Sequence, residues 1–564
     1  MCVMKLLFVL ALTVAVAFSQ TDPSGASDSW WKQAVIYEVY PRSFGDTNGD
    51  GIGDLNGITQ HLDYLQDLGI DAIWITPFFP SPQVDFGYDI SDYTAIDPQY
   101  GTMADFDRLV AEAQKRGIRI IADMVLNHTS DQHQWFIESK SSRTNPKADW
   151  YIWRDGKANG QPPNNWQSIF GHSAWQFEPA RKQYYYHAFY KQQPDLNWRN
   201  EQVRNAMYDA VRFWMKKGVA GFRLDAITSM YEDTALRDEP KKGGTDAYGE
   251  AILTREFTDN LPEVHDTLRE LRKVVNEYPG RVLIGETYLP NVQELAKMYG
   301  ANNDELHLPM DTQLGFLNRL SAPLFRAKLQ DAETQLNGNP PLFVFDNHDN
   351  KRSWDRYGDG VHNLEIAKLI ATALLTPRDT ALVYYGQELG LATDDPKRKE
   401  DVQDPIGRIG WPKEKGRDGE RKPMPWNGDT NAGFTTSRNP WLPLTPGFDK
   451  LNVSSELKDA NSILNYYKTL IRLRKENAAL RDGAFALVQA DNPAVLSYTR
   501  KTADGKAVLV TMNFTATPKT MTFPDAGGHH GVTLASSFAK VGDAEDLDKL
   551  SLPAFGSWVG EVQP

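Results

Sequence analysis

The chain has 564 residues, which is too many for one ordinary domain. Hydrophobic residues make up 41% of it and charged residues 24%, a balance typical of globular proteins. A net charge of −13 argues against nucleic acid and against an anionic membrane surface as partners, because both attract basic surfaces.

The N-terminal residues have the pattern of a secretory signal peptide. Lys5 precedes an apolar run from Leu6 to Phe18, and small residues occupy the −3 and −1 positions of a cut after Ser19. The run is shorter than the roughly 20 residues that a membrane-spanning helix needs. We predict that residues 1–19 are removed and that the protein is secreted or periplasmic; a buried N-terminal strand is the alternative. Cys2 is the only cysteine, so a mature chain would have no disulfide, no thiolate metal site and no thiol nucleophile.

Apolar, β-rich runs alternate with amphipathic helical stretches along most of the chain, which is the pattern of repeated strand–helix units. One predicted helix, Val203–Lys217, repeats apolar residues at helical spacing. The eight predicted strands are Ala34–Tyr40, Ala72–Thr76, Arg119–Leu126, Gly221–Ala226, Val282–Glu286, Glu305–Met310, Leu342–Phe345 and Ala381–Tyr385. The predicted fold class is therefore α/β, a (β/α)8 TIM barrel formed by residues 29–128 and 201–479.

Three stretches depart from this alternation. Residues 129–200 are aromatic and rich in Gly, Pro and Asn, and we predict a subdomain inserted after strand 3, over the barrel mouth. The segment 393–446 predicts a long loop that borders the site after the eighth strand. Residues 480–564 alternate polar and apolar positions and predict a C-terminal antiparallel β domain of the sandwich type.

Three short apolar runs each end in charged groups, which include Asp225, Glu286 and Asp349. Carboxylates are costly inside a protein, and the carboxyl ends of barrel strands face one shared mouth where catalysis occurs. One such acid would more often cap a strand or pair with an arginine, but three together favour a common site. Two carboxylates that converge across a mouth are what cleavage of a glycosidic bond requires.

The residues around these acids predict how they ionise. Arg223 lies two residues before Asp225, so both side chains point to one face of the strand, and the guanidinium should lower the pKa of Asp225. Glu286 has no cationic neighbour in its run, so burial should raise its pKa towards that of a general acid. His348 and Asp349 point apart if their strand continues and to one site if a turn begins there, and both arrangements stay open.

Five motifs, in chain order, resemble those of glycoside hydrolase family 13, the α-amylase superfamily. Asp123 to His128, Gly221 to Asp225, Gly285 to Thr287 and Asn347 to Asp349 look like its four signature regions. Gln193 to Asn197 resembles the further signature of its α-glucosidase and oligo-1,6-glucosidase branch. The resemblance extends over nearly the whole mature chain.

The resemblance implies a retaining mechanism with Asp225 as nucleophile, Glu286 as acid/base and Asp349 as transition-state stabiliser. It implies that the pocket for the non-reducing glucose is lined by Asp85, Tyr88, His128, Arg223, His348 and Arg421. It also links Ala226, the residue after the nucleophile, to a preference for α-1,4 over α-1,6 linkages.

Some of these residues would be interpreted differently without the family. Asp85 and Tyr88 alone are more typical of a solvated turn than of a sugar-binding site. His128 alone would more often be a hydrogen-bonded structural histidine. Their assignment to the pocket therefore depends on the resemblance.

An acidic loop between residues 46 and 54 predicts a structural calcium site. The predicted oxygen ligands are Asp46, Asn48, Asp50, Asp54 and the carbonyl of Ile52. They match the first nine positions of a calcium loop, although Gly57 stands where an EF-hand has glutamate. Because every ligand is oxygen, we expect Ca²⁺ rather than a transition metal, and no organic cofactor. The alternative is a solvated acidic turn.

These observations predict a retaining, exo-acting α-glucosidase that hydrolyses terminal α-linked glucose from short saccharides such as maltose or sucrose. The alternative within the family is an α-glucosyl transferase or a sucrose-converting enzyme. No Arg-Leu-Asp-Arg-Asp type motif lies between Glu286 and His348, which argues against a sucrose isomerase. A non-catalytic transporter subunit with this barrel would have a membrane helix and would lack catalytic acids. The expected partner is a small saccharide, and no pattern indicates an oligomeric state.

Overall fold

A computed structural model describes residues 29–563 of the protein, so the predicted signal peptide lies outside the described residues. Eight parallel strands hydrogen-bond in chain order and close into a barrel, which confirms the predicted fold. We number the barrel strands β1 Val35–Val39, β2 Ala72–Ile75, β3 Arg119–Val125, β4 Gly221–Asp225, β5 Val282–Gly285, β6 Leu308–Asp311, β7 Leu342–Val344 and β8 Thr380–Tyr384. Within residues 29–563, each helix is too short or too polar to cross a membrane.

Strand β6 lies further along the chain than the sequence predicts. The predicted segment began at Glu305, but the carboxylate of Glu305 is buried before the strand and contacts Arg269 at 2.5 Å and His265 at 2.6 Å. The hydrogen-bonded strand starts at Leu308 and ends at Asp311.

Helices surround the barrel, and several of them begin at a residue whose side chain caps the helix. Thr102 and Asp105 form a capping box at the start of the helix Met103–Lys115, which buries Phe106 and Leu109 against the barrel. The other α-helices are Pro41–Phe44, Leu55–Gln60, Leu62–Leu68, Gln134–Ser141, Glu201–Lys216, Glu263–Val275, Val292–Lys297, Ala322–Gln335, Ser353–Tyr357, Asn363–Leu375, Pro405–Gly410, Val453–Glu456, Ile463–Glu476 and Ala478–Asp482. Short 3-10 turns lie at Trp30–Gln33, Ile227–Ser229, Gln387–Leu389, Lys399–Asp401, Thr430–Gly433 and Pro524–Ala526.

The interior of the barrel changes from apolar to charged along the strands. Ile36, Ile121 and their counterparts on the other strands form a buried apolar cluster. Because side chains alternate, Glu38 and Asp123 lie two residues further along the same faces, and both are fully buried. The charged layer therefore lies at the carboxyl ends of the strands, where the site was predicted.

Two additions border the barrel mouth. The subdomain after β3 contains the helix Gln134–Ser141 and a three-stranded sheet of Trp153–Arg154, Gln183–Tyr186 and Trp175–Glu178. The helix was not predicted. A hairpin of Lys241–Thr245 and Ala251–Leu253, also not predicted, follows β4.

The C-terminal domain is antiparallel, as predicted. Its six-stranded sheet has the order Ala484–Val488, Val495–Lys501, Ala507–Asn513, Ser557–Gln563, His530–Ser536 and Ala544–Asp546. A two-stranded ribbon, Lys519–Met521 with Leu550–Leu552, contributes to the same apolar core as Leu509 and Trp558. The domain is thus a large sheet with a small ribbon rather than two sheets of equal size.

Candidate active site

The guanidinium of Arg223 brings three carboxylates together at the ends of β3, β4 and β5. Its Nη1 donates to Oδ1 of Asp225 at 2.6 Å and to Oδ1 of Asp123 at 3.1 Å. Its Nη2 lies 2.7 Å from Oε1 of Glu286. Arg223 is fully buried, so these ion pairs are shielded from solvent. The predicted convergence of Asp225 and Glu286 is therefore present in the structure.

The ionisation of the two acids differs in part from the prediction. Burial raises the pKa of Glu286 to about 7, although Arg223 opposes this shift. The expectation that Glu286 lacks a cationic neighbour is wrong, because Arg223 comes from the adjacent strand. Burial also raises the pKa of Asp225 to about 7, because it outweighs the attraction of Arg223. The predicted lowering of the Asp225 pKa is therefore wrong: Arg223 is shared among three acids and does not serve one alone.

The pKa of Asp349, in contrast to those of Asp225 and Glu286, is lowered, so Asp349 is ionised. Arg417 Nη1 and Arg421 Nη2 donate to its Oδ1 at 2.9 and 2.8 Å, and Nε2 of His348 lies 3.3 Å from its Oδ2. Burial alone would raise the pKa of Asp349, but the cationic groups outweigh it and hold the pKa well below its usual range. Residues 347 and 350 form a bridge after β7, so a turn begins there; Asp349 lines the cavity, and His348 lies behind it with Nε2 next to the Asp349 carboxylate.

One wall of the site consists of Asp85, Tyr88 and His128. Oδ1 of Asp85 accepts from Arg417 Nη2 at 2.6 Å, and Oδ2 accepts from the side-chain amide of Gln193 at 3.1 Å. The hydroxyl of Tyr88 donates to Asp123 at 3.0 Å. Burial lowers the pKa of His128 to about 3, so this imidazole is neutral.

A cavity of about 570 Å³ opens above these groups. Its inner part is lined by Asp85, Tyr88, His128, Asp225, Glu286, Asp349 and Arg417. Its outer part includes Ile169, Phe170, Phe189, Ile252, Tyr288 and Ile406, which come from the inserted subdomain, the hairpin, the loop after β5 and the segment after β8. Three of the predicted pocket residues, Arg223, His348 and Arg421, are fully buried behind this lining.

Sequence reasoning missed two residues that the structure places in the site. Arg417 contacts Asp85, Asp349 and Asp404 through one guanidinium. It lies four residues before Arg421, in the segment predicted as a long loop that borders the site, and no periodicity distinguishes it from its neighbours. Glu38, on β1, places Oε1 at 2.6 Å from Nδ1 of His348. A lone glutamate within the otherwise apolar run of β1 was the signal that could have identified it.

The acidic loop forms a series of Asx turns. Oδ1 of Asp46 accepts from the backbone of Gly49 at 2.8 Å, and Oδ1 of Asp50 accepts from that of Ile52 at 2.8 Å. Gly51 has a φ of 94°, and a Cβ there would lie 2.3 Å from a backbone oxygen. The all-oxygen donor set suits Ca²⁺. No group of three or more His, Cys, Asp or Glu residues within 29–563 is arranged to hold a metal, so amide and carbonyl oxygens would have to complete the site.

Comparison with known proteins identifies the family. The family described as "Alpha amylase, catalytic domain" matches residues 38–483. The chain belongs to the α-amylase family. Among relatives of this α-amylase family member, a probable alpha-glucosidase of Rhizobium meliloti (strain 1021) is 44% identical over 82% of this chain and 85% of its own length. The oligo-1,6-glucosidase of Parageobacillus thermoglucosidasius is 38% identical over 95% of this chain and 99% of its own.

Solved structures with the same fold cover several activities. The alpha-glucosyl transfer enzyme XgtA matches with a TM-score of 0.87 and 40% identity, over 95% of this chain and all of that one. A variant of isomaltulose synthase from Erwinia rhapontici NX5, in complex with its natural substrate sucrose, matches with a TM-score of 0.86 and 37% identity, over 95% and 99% of the chains. The protein is therefore a glycoside hydrolase on the α-glucosidase branch of the α-amylase family.

Proposed function

We propose that the protein is a retaining, exo-acting α-glucosidase that releases terminal α-linked glucose from short saccharides. The observation that carries the proposal is the sharing of Arg223 between Asp225 and Glu286. A single guanidinium contacts both carboxylates, which limits their separation, and a short separation favours a nucleophile and an acid/base over an inverting pair with water between them.

In the proposed reaction, Asp225 attacks the anomeric carbon while Glu286 protonates the departing glycosidic oxygen. The bond to the aglycone breaks as the glucosyl ester of Asp225 forms, and Glu286 is left ionised. Glu286 then takes a proton from water, which attacks the ester and frees Asp225. The backbone N–H of Ala226 donates to Oε2 of Glu286 at 2.9 Å and orients the acid/base.

Exo action is supported by closure of the inner end of the cavity. The ion pair of Arg417 with Asp85 joins the loop after β2 to the segment after β8. The exposed fractions of these two side chains are 11% and 5%, so the pair closes one side of the pocket. A sugar chain that continued beyond the terminal glucose would have to displace a buried ion pair, which is costly.

Transfer to a sugar acceptor is the second candidate. It is supported by the similarity to XgtA, a transfer enzyme, and to isomaltulose synthase. Hydrolysis and transfer share the ester intermediate and differ only in whether water or an alcohol attacks it.

The proposal is tested by incubating the purified protein with maltose, isomaltose, sucrose and trehalose and separating the products. We expect free glucose as the main product and faster turnover of maltose than of isomaltose, because Ala226 follows the nucleophile. Products larger than the substrate at low substrate concentration would indicate a transferase instead. Isomaltulose or trehalulose from sucrose would indicate an isomerase.

We propose also that the protein is exported and binds one structural Ca²⁺ in the loop 46–54. The signal-peptide pattern supports export, and the oxygen-rich Asx turns support the ion. Mass spectrometry of protein from the exporting host should show a chain that begins at Gln20, and a chain that retains residues 1–19 would contradict the export proposal.

A further inference from the structure

The side chain of Glu38 is fully buried in the barrel, although nothing in the proposed reaction uses it. Its Oε1 lies 2.6 Å from Nδ1 of His348 and accepts the backbone N–H of the same residue at 3.3 Å. Its Oε2 is buried without a hydrogen-bond partner within the described residues 29–563. A buried carboxylate with an unsatisfied oxygen costs free energy, so its presence on a strand needs a compensating reason.

The contact of Glu38 with the imidazole of His348 supplies that compensating reason. The ring stacks on Tyr88 with centroids 5.2 Å apart and an interplanar angle of 6°. Stacking fixes the plane of the ring, but it does not distinguish the ring from the same ring rotated by 180° about its bond to Cβ. That rotation would replace Nε2 with a carbon at the position next to Asp349. The contact with Glu38 is the interaction that selects one of the two orientations.

The selected orientation places Nε2 of His348 at 3.3 Å from Oδ2 of Asp349. The other oxygen of Asp349 is held by Arg417 and Arg421. With the ring fixed, Oδ1 of Asp349 is held by two guanidinium groups and Oδ2 faces Nε2 of His348, which has no hydrogen-bond partner within residues 29–563. The ring therefore limits the position of the carboxylate by contact before substrate binds. Groups that stabilise a transition state are effective when they are positioned in advance, because no reorganisation is then needed during the reaction.

We infer that Glu38 is a positioning residue for catalysis, which fixes the ring orientation of His348 and through it the carboxylate of Asp349. The inference deepens the proposed function and depends on it. Glu38 acts on catalysis through its hydrogen bond to Nδ1 of His348 rather than through its charge. A countercharge role towards Arg223 is the competing explanation, because Arg223 also attracts Glu38.

Two substitutions separate these explanations. Glu38→Met occupies a similar volume but offers neither a donor nor an acceptor, whereas Glu38→Gln offers both and can pair with either tautomer of His348. We expect Glu38→Met to lower kcat/KM by about 10- to 100-fold, the effect of losing a hydrogen bond to a buried group, with most of the loss in kcat. Glu38→Gln should lose only a few-fold. Equal losses in the two variants would show that charge matters and would overturn the inference.

A double-mutant cycle tests whether Glu38 acts through His348. In a His348→Ala background, Glu38→Met should change kcat/KM by less than about threefold, because the ring it positions is gone. The same loss in both backgrounds would contradict the inference. If Glu38→Met does not fold by circular dichroism, Glu38→Asp moves the carboxylate away from Nδ1 and is compared in the same backgrounds. A wild-type kcat/KM retained by Glu38→Asp, or an equal loss in both backgrounds, would also overturn it.

The same experiments distinguish failure of the proposed function from failure of the positioning role of Glu38. Wild-type protein that releases no glucose from maltose or 4-nitrophenyl α-glucoside would contradict the proposed function. Wild-type protein that releases glucose, but whose Glu38 variants behave additively with His348→Ala, would contradict only the positioning role.

Discussion

At the scale of single residues, Arg223 determines how the site ionises. One buried guanidinium contacts Asp123, Asp225 and Glu286, so three acids compete for one positive charge. Burial therefore raises the pKa of each of them, to about 6 for Asp123 and about 7 for the other two. The site can thus supply an ionised nucleophile and a protonated acid near neutral pH.

This ionisation predicts a bell-shaped dependence of kcat/KM on pH. Asp225 must be ionised, so activity should rise as pH increases through its pKa of about 7. Glu286 must be protonated, so activity should fall as pH increases through its pKa of about 7. The rising and falling limbs of the kcat/KM profile both report the coupled pair of Asp225 and Glu286, and they lie on either side of pH 7. Measurement of kcat/KM between pH 4 and 10, within the range where circular dichroism shows a folded protein, tests this; a flat profile from pH 5 to 9 would contradict it.

The two acids should fail differently when substituted. Asp225→Asn should lower kcat by about 10⁴-fold or more on every substrate, because an amide cannot form the ester. Glu286→Gln should lower turnover of maltose by about 10²- to 10⁴-fold but that of 4-nitrophenyl α-glucoside much less, because a good leaving group needs no proton. Asp107→Asn, at an exposed position, is the control and should change neither. The opposite pattern between the two variants would mean that their roles are exchanged.

Arg417 is the residue for which the structure adds most to the sequence. Its guanidinium holds Asp85, Asp349 and Asp404 in a fixed geometry that a lysine cannot reproduce. We expect Arg417→Lys to lower kcat/KM by about 100-fold, because two or more buried charge-assisted hydrogen bonds are lost. Arg438→Lys, an exposed change in the same segment, should have no effect. A loss below threefold for Arg417→Lys would show that Arg417 does not order the pocket.

At the scale of elements, the loop 46–54 links β1 to the segment after β8. The side chain of Asp46 accepts from the hydroxyl of Thr435, and its backbone N–H donates to the carbonyl of Phe434 at 2.9 Å. An ion in this loop would therefore stabilise the contact between two parts of the chain that are distant in sequence.

Removal of calcium should consequently lower stability without changing the catalytic residues. We expect dialysis against a chelator to lower Tm by about 5 °C and added Ca²⁺ to restore it. Asp50→Ala should reduce both the bound calcium and this response, whereas Asp92→Ala, an exposed change outside the loop, should not. Protein that contains no calcium and whose Tm is the same with and without chelator would show that the loop is only a turn.

Comparison of the predicted and observed strands shows which elements can be predicted from the sequence. Barrel strands were predictable because each is a short apolar run, and the acids that mark the site end β4 at Asp225 and directly follow β5 at Glu286. The hairpin 241–253 was not, because the strand Lys241–Thr245 is exposed throughout and has no buried face to produce a pattern. Arg417 was not predictable either, because irregular segments position side chains by contacts that are distant in sequence.

At the scale of the whole molecule, four parts of the chain build one cavity on the barrel. The barrel provides the carboxylates, and the inserted subdomain, the hairpin 241–253 and the segment after β8 contribute to its outer wall. The convergence of Asp225, Glu286 and Asp349 followed from the closed barrel alone. The ionisation of Asp225 did not follow from the barrel alone, because its burial and the sharing of Arg223 arise only in the assembled fold.

The central claim is retention of configuration through an ester on Asp225, and the anomer of the first-formed glucose tests it most directly. Proton NMR during hydrolysis of maltose or 4-nitrophenyl α-glucoside distinguishes the anomers before mutarotation mixes them. The shared contact of Asp225 and Glu286 with Arg223 predicts that α-glucose appears first. First-formed β-glucose would mean direct attack by water and would contradict the account.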